Sequence, residues 1–174
     1  TIKNHDKETD LYLLDMPNQE VRIGLMRSLL PNYVERYTQN ANTMIAKMSV
    51  PIRNGRMDEA LQMLQTFLST IPQCDNTNYE GHYQQMFYII FSLLGSFVDV
   101  EVRTPRGRVD VVLRTKTTLY VMELKLDKTA GEAMEQLNLK NYPERFALCG
   151  LPVVKVAINF DSERCTIGDW IIEK

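Results

Sequence analysis

Two carboxylates and a lysine in the second half of the chain have the residue types and spacing that could bind a metal ion and act on a phosphate. Asp110 lies in the segment GRVDVVLR (107–114), and Glu123 and Lys125 lie two residues apart in VMELKLDK (121–128). Charged side chains are rarely buried unless they are paired or bind a metal. Carboxylate oxygens suit Mg²⁺, and an ammonium group could meet negative charge developing on a phosphate.

The turn between these two segments predicts that Asp110 and Glu123 lie side by side. Both segments show the two-residue period of strands, and RTKTT (114–118) joins them as a hairpin. A turn centred between Lys116 and Thr117 pairs Asp110 with Glu123. Because opposed carboxylates destabilise a sheet unless a cation lies between them, this pair favours a Mg²⁺ or Mn²⁺ site.

Two other polar residues are candidates for the same site. Glu80 begins the helix before the strands, and Gln136 lies near the apolar side of the helix that follows them. A third carboxylate could bind the cation, and an amide could hold a phosphate. Both residues also have structural explanations, because acidic residues favour helix N-termini and Gln136 could be a satisfied amide on a helix flank.

Basic residues around the hairpin are candidates for binding a phosphate backbone. Arg103 and Arg106 precede the second strand, Arg108 lies near its start, and Arg114 and Lys116 lie at the turn. Such local clusters can bind nucleic acid although the net charge of the chain is −2. The alternative is that they are solvated residues at strand edges.

The elements that must position these residues predict a mixed α/β fold. The first half has helical periodicity over about residues 17–34, 38–48 and 55–72, with Asn18 as a cap and Val21, Leu25, Leu29 and Tyr33 as the apolar stripe of the first helix. The second half predicts a helix (79–95), three strands (97–104, 107–114 and 118–126), a helix (129–142) and two strands (152–160 and 165–172). Together they predict a central mixed sheet flanked by helices, with a small helical segment before it.

The polar segment PQCDNTN (72–78) predicts the boundary between two units, a helical segment over 1–74 and a sheet domain over 75–174. The hydrophobic fraction of 44% is ordinary for a globular protein. Three cysteines without a CxxC pair indicate a reducing, cytoplasmic setting, and no apolar run is long enough to cross a membrane. Two histidines argue against a serine or cysteine triad.

The acidic pair and the lysine resemble the motif of the PD-(D/E)XK nuclease superfamily. Asp110 followed by Glu123-Leu124-Lys125 matches the Asp…Glu-X-Lys pattern, with Val109 in place of the proline. The predicted order of elements is similar to the restriction-endonuclease-like core. More narrowly, residues from about 17 onward look like the nuclease-like domain that follows an AAA-type ATPase domain in proteins of anaerobic bacteria. The matching segments include PNQEVR, YEGHY, VEVRTPRGRVDVVL, YVMELK and EAMEQL.

This resemblance implies a magnesium-dependent nuclease that acts on DNA or RNA. It implies that Asp110, Glu123, Glu80 and the backbone carbonyl of Leu124 bind the metal, and that Lys125 is the catalytic lysine. It also implies that Gln136 is a supporting residue, that Arg103, Arg106 and Arg108 contact nucleic acid, and that an ATPase domain is a partner. No GxxxxGK[ST] occurs, so this chain alone has no P-loop. The alternative is a non-catalytic module that binds nucleic acid or a partner.

Overall fold

A computed structural model describes residues 2–14, 16–34, 38–71, 80–95, 97, 99–103, 108–139 and 150–174. From the helix before the central strands onward, it confirms the predicted order of elements. In chain order, the elements are β1 (Ile2–Asp6), β2 (Leu11–Leu14), α1 (Gln19–Leu29), α2 (Pro31–Val34), α3 (Thr38–Arg53), α4 (Met57–Ser69), α5 (Glu80–Leu94), β3 (Asp99–Arg103), β4 (Arg108–Arg114), β5 (Leu119–Leu126), α6 (Ala130–Leu139), β6 (Val153–Asp161) and β7 (Thr166–Glu173). From α5 onward, the ends differ from the predicted ones by no more than three residues.

The first residues of the chain are not helical, which corrects the prediction for that segment. Strands β1 and β2 pair as an antiparallel hairpin, in which the rings of His5 and Tyr12 stack with centroids 4.1 Å apart. Leu11 and Leu13 are more than half exposed on this hairpin. The strand period was too short to recognise in sequence, since β2 has only four residues.

Helix α1 begins where predicted but buries a different face. The side chain of Asn18 caps the helix and accepts a hydrogen bond from Val21 N at 2.9 Å. Val21 and Leu25 of the predicted stripe are 48% and 42% exposed, whereas Met26 is buried and Leu29 of the stripe is partly buried against the core. The prediction is therefore wrong for Val21 and Leu25, because packing against α5 selects the buried face. Gln19 Nε2 also donates to the carbonyl of Gly95 at the end of α5.

Helix α3 continues five residues past its predicted end, and its last turn tolerates Pro51. Met48 and Ile52 are buried there, so tertiary packing outweighs the hydrogen bond that proline cannot donate. Gly55 then turns the chain into α4 with a φ of +76°, in the left-handed region that favours glycine.

Five strands form the central sheet in the order β3-β4-β5-β6-β7. Neighbouring strands are antiparallel except β5 and β6, which are parallel because α6 forms the crossover between them. The predicted mixed sheet and the predicted hairpin register are both confirmed. In the β4–β5 ladder, Leu113 pairs with Tyr120 and Asp110 pairs with Glu123.

The two faces of the sheet are covered differently. One face, here called the helical face, carries Leu113, Tyr120, Met122 and Leu124, which are buried in one cluster with residues of α1, α3, α4 and α5. The opposite face, here called the α6 face, carries Leu119, Val121, Glu123 and Lys125 by strand alternation. A separate cluster joins Leu119 and Val121 to Ala133, Met134 and Leu137 of α6.

A single apolar cluster joins the early helices to the sheet. Leu64 and Leu68 of α4 belong to the same cluster as Ile158 and Phe160 of β6. Trp170 of β7 also donates a hydrogen bond to a carboxylate of α4. The predicted boundary at residue 74 lies outside the described residues, so the division into 1–74 and 75–174 stays a prediction.

Candidate active site

Glu123 is a carboxylate at the centre of the sheet with no exposed surface. It lies on the middle strand β5, and its exposed fraction is 0%. Two residues further along the same face, Lys125 directs its Nζ back to 3.8 Å from Glu123 Oε1 and is 16% exposed. Burial of a charge is costly unless an opposite charge accompanies it. The lysine therefore supplies positive charge next to the buried carboxylate, as a cation in the site would.

The β4–β5 ladder positions a second carboxylate opposite the first. Asp110 and Glu123 are direct partners in the antiparallel register, and directly paired positions lie on the same face of a sheet. The side chain of Asp110 lies outside the described residues, and so does that of Glu80. The backbone register alone brings Asp110 beside Glu123, as the sequence predicted.

Glu80 is the first residue of α5, a helix that covers the helical face rather than the face of Glu123. Only four residues separate Leu94 from Asp99, so α5 ends near the Arg114 end of the β3–β4 ladder. The helix has 15 residues and is about 22 Å long, so its start lies toward the other end of the sheet, where Asp110 and Glu123 pair. Glu80 as a metal ligand stays a prediction.

Helix α6 is held over Glu123 by hydrogen bonds at its first turn. Thr129 and Glu132 form a reciprocal capping box, in which Glu132 N donates to Thr129 Oγ1 and Thr129 N donates to Glu132 Oε2. Ala130 N donates to Asp169 Oδ2 of β7 at 3.3 Å. At the far end, Lys155 Nζ of β6 donates to Asn138 Oδ1. These contacts fix the helix at both ends.

Gln136 projects a buried carbonyl oxygen from this fixed helix. Its Oε1 has no hydrogen-bond partner among the residues that the structure describes. A buried acceptor without a donor costs free energy, so such a group needs a partner or a function. A satisfied amide on a helix flank was the structural alternative, and the described contacts do not support it for this oxygen.

Asn159 and Asp169 continue the polar row from Lys125, and the sequence analysis did not identify them. Lys125 pairs with Asn159 in the parallel ladder, and Asn159 pairs with Asp169 in the next one. Asn159 Nδ2 donates to Asp169 Oδ1, and Asn159 Oδ1 accepts from Lys128 N. An asparagine inside the apolar strand PVVKVAINF was the available signal. This pair positions the end of β5 and the start of α6.

The predicted arginine cluster comprises Arg103, Arg106 and Arg108. Arg106 and the side chains of Arg103 and Arg108 lie outside the described residues. Within the described part of the chain, no three histidine, cysteine, aspartate or glutamate side chains are close enough to hold a metal ion. The side chains of Asp110 and Glu80 lie outside that part of the chain, so the predicted ligand set stays a prediction.

Comparison with known protein families matches residues 78–170 to the PD-(D/E)XK nuclease superfamily. This range covers more than half of the chain and includes Asp110, Glu123, Lys125 and Gln136. The chain belongs to the PD-(D/E)XK nuclease superfamily. Its mixed sheet, flanked by helices, is consistent with the restriction-endonuclease-like fold of that superfamily.

A relative of this PD-(D/E)XK chain is the "Uncharacterized protein in vnfD 5'region" of Azotobacter chroococcum mcd 1, with 29% identity over 176 residues. The match covers 93% of this chain and 33% of the relative, so the chain spans about a third of the length of the curated relative it matches. No solved structure matches the chain. Among the described helices, none is long and apolar enough to cross a membrane.

The residues of this PD-(D/E)XK site fit a divalent ion. Glu123 is a fully buried carboxylate, and its neighbouring ammonium at 3.8 Å is beyond hydrogen-bond distance. A carboxylate position lies directly opposite in the register. Hard oxygen donors of this kind match Mg²⁺ and Mn²⁺, and a cation between them would relieve the repulsion of two opposed carboxylates.

Proposed function

We propose that this chain is a metal-dependent nuclease domain that hydrolyses phosphodiester bonds of DNA or RNA. The observation that carries the proposal is the combination of Asp110 and Glu123 in one register with Lys125 beside the buried carboxylate. Two carboxylates and an ammonium group inside a sheet lower the stability of the fold, and a bound catalytic cation would offset that loss.

The proposed roles divide between holding an ion and acting on the phosphate. Asp110 and Glu123 would hold Mg²⁺ or Mn²⁺, with Glu80 and the backbone carbonyl of Leu124 as further ligands. When bound, the ion supplies Lewis-acid polarisation of a phosphoryl oxygen. Lys125 would orient a water and stabilise the negative charge of the transition state. The water forms a new P–O bond, one ester P–O bond breaks, and the leaving oxygen takes a proton.

The supporting groups would bind the substrate beside these residues. Gln136 could donate its amide to a phosphate oxygen, and Arg103, Arg106 and Arg108 would contact the backbone of the nucleic acid. Helix α6 packs over β5, β6 and β7, while Asp99 and Arg114 of the β3–β4 hairpin are exposed. This exposed end of the β3–β4 hairpin would let a strand of nucleic acid approach the site from one side.

The chain would work within a longer protein. The curated relative is about three times as long as the region it shares with this chain. An ATPase domain elsewhere in the same protein would couple ATP hydrolysis to nucleic-acid binding or cleavage, and this association rests on the sequence resemblance.

The decisive experiment compares Glu123→Gln with Glu135→Gln, which changes an exposed carboxylate on α6. Supercoiled plasmid, single-stranded DNA and RNA are incubated with each protein and with Mg²⁺ or Mn²⁺. We expect cleavage by the wild type and by Glu135→Gln, and no cleavage above background by Glu123→Gln. Asp110→Asn should need at least about 100-fold more Mn²⁺, since loss of an outer contact alone costs up to about 100-fold in metal affinity.

The contrary result is equally clear. If the wild type cleaves none of these substrates and Mn²⁺ does not raise its melting temperature, the chain is a non-catalytic binding module. Equal cleavage by Glu123→Gln and the wild type would also contradict the proposal, because the buried carboxylate would then be structural.

A further inference from the structure

A groove lined by three exposed basic side chains runs along helix α3 toward the β4–β5 turn. Its wider part has a volume of about 620 Å³ and is lined by Arg53 at the end of α3, Asn54 just after it, Lys116 of the β4–β5 turn, and Phe97. A second cleft of about 310 Å³ continues past Phe97 to Arg27 and Asn42. Phe97 lines both clefts, so together they form one surface, here called the α3 groove.

The charges of the α3 groove are unbalanced. Asp99 and Arg114, which also line it, are partners in the β3–β4 ladder and offset each other. Arg27, Arg53 and Lys116 are exposed, and they make no ion pair or hydrogen bond to another residue that the structure describes. Three positive charges therefore face this groove in a chain whose net charge is −2. A polyanion is the complementary ligand.

An exposed aromatic ring lies between these charges. Phe97 is 40% exposed, and its backbone N–H donates to Leu94 O at 2.9 Å, which fixes it at the end of α5. An aromatic ring beside basic side chains is the arrangement on which proteins stack the bases of single strands. In a duplex the bases are already stacked on each other and are not available to such a ring.

The turn that carries Lys116 is held in one conformation. Thr115 Oγ1 accepts hydrogen bonds from the backbone N–H groups of Thr117 and Thr118, and Thr115 N donates to Thr118 O at 2.9 Å. The side-chain hydroxyl thus replaces water as the hydrogen-bond acceptor for the backbone N–H groups of the turn. Lys116 is therefore presented to the groove from a rigid position, which lowers the entropic cost of binding a phosphate.

The groove is within reach of the proposed catalytic residues. Arg114 is four residues beyond Asp110 on β4, a distance of about 13 Å along the strand. A nucleic-acid strand spans that distance with about four nucleotides at the rise of a stacked strand. A single strand lying in the groove could therefore continue onto the less covered part of the α6 face.

We propose that the α3 groove binds single-stranded nucleic acid, with phosphates on Arg53, Lys116 and Arg27 and a base stacked on Phe97. This inference rests on the proposed function for its choice of ligand, and it assigns the helices before residue 72 a role in binding substrate. Binding at the groove requires neither a metal ion nor Glu123.

The test measures binding of a fluorescein-labelled 20-nucleotide single strand by anisotropy, in EDTA so that no cleavage occurs. Arg53→Ala and Lys116→Ala should each weaken binding about tenfold and lower the salt dependence by about 0.7 per lost phosphate contact. Phe97→Ala should weaken it about 5- to 100-fold, and Phe97→Trp should restore it. Lys47→Ala, an exposed cation on α3 outside the groove, should bind as the wild type does.

Three results would overturn the inference: no binding of single strands by the wild type, unchanged binding by the groove variants, or an equal loss with Lys47→Ala. The outcome is separate from that of the proposed function. If the wild type cleaves nucleic acid and the groove variants bind normally, only the groove assignment fails. If the groove variants lose binding and no protein cleaves, the groove assignment stands and the nuclease proposal fails.

Discussion

The same strands form both faces of the central sheet, but one face is apolar and the other carries charged residues. On the helical face, Tyr120, Met122 and Leu124 of β5 are buried and Leu126 is partly buried, in a cluster that includes residues of four helices. On the α6 face, Leu119 and Val121 pack under α6, but Glu123 and Lys125 follow at the end of the same row. Under the proposed function, one face supplies stability and the other loses part of its stability to the charged groups of the proposed active site.

Strand β5 makes this division possible because its residues alternate between the faces. Met122 and Leu124 point to the helical face on either side of Glu123 and anchor the strand there. The strand therefore stays folded although its other face carries the charged pair of Glu123 and Lys125. The comparison predicts that changes on the α6 face affect rate, whereas changes on the helical face affect stability.

The largest expected effect on the α6 face comes from Lys125→Met, which keeps the stem and removes the ammonium. We expect the cleavage rate to fall by about 10²–10⁴, the usual worth of a positioned polar catalytic group. Without metal, loss of the neighbouring positive charge should also lower the free energy of unfolding by about 1–3 kcal/mol. Mn²⁺ should then raise the melting temperature more than in the wild type, since the ion replaces the missing charge.

Lys128→Met is the control for this variant, because Lys128 is an exposed lysine on the same segment. It should leave the rate and the melting temperature unchanged. A rate loss below about threefold for Lys125→Met would show that the ammonium only balances charge, well under the range for catalysis.

On the helical face, Leu68→Ala should have a large effect on stability alone. Leu68 is fully buried on α4, so we expect the free energy of unfolding to fall by about 2–5 kcal/mol. Cleavage per folded molecule should not change. The checks are chemical denaturation and an assay at a temperature where the variant is folded, with Leu139→Ala, 85% exposed, as the control. A specific loss of rate would mean that the two faces are not independent.

The smallest expected effect comes from changing Gln136, which we expect to affect both stability and the cleavage rate. Gln136→Leu removes a buried oxygen that has no described partner, so the free energy of unfolding should rise by about 1 kcal/mol. Loss of the amide should lower the cleavage rate about tenfold if it supports the substrate. Thermal melting and single-turnover cleavage separate the two effects. A fall in stability would show that the oxygen is satisfied in the folded chain.

The parts of the site that the sequence predicted are those governed by local period. The two-residue alternation of β4 and β5 and the short turn between them fix the register, so Asp110 opposite Glu123 followed from spacing alone. The same alternation placed Lys125 on the face of Glu123. Helix ends were also predictable where a local signal exists, as at Asn18 of α1.

Features that depend on distant contacts were not predictable. Which face of α1 is buried depends on α5, so the helical period alone does not show that Val21 and Leu25 are exposed. The polar row from Lys125 to Asn159 and Asp169 crosses three strands that are separated in sequence. The β1–β2 hairpin was missed because four and five residues give too weak a period.

The sequence by itself determined the composition of the site and its register, because strand period and turn length act over a few residues. Only the tertiary structure decided that Glu123 is fully buried, that α6 is fixed above it by β6 and β7, and that Gln136 keeps a buried oxygen without a described partner. It also brought Arg53 of α3 to the same groove as Lys116 of the turn. Burial and charge pairing across the sheet depend on contacts between residues far apart in the chain, so no local sequence pattern predicts them.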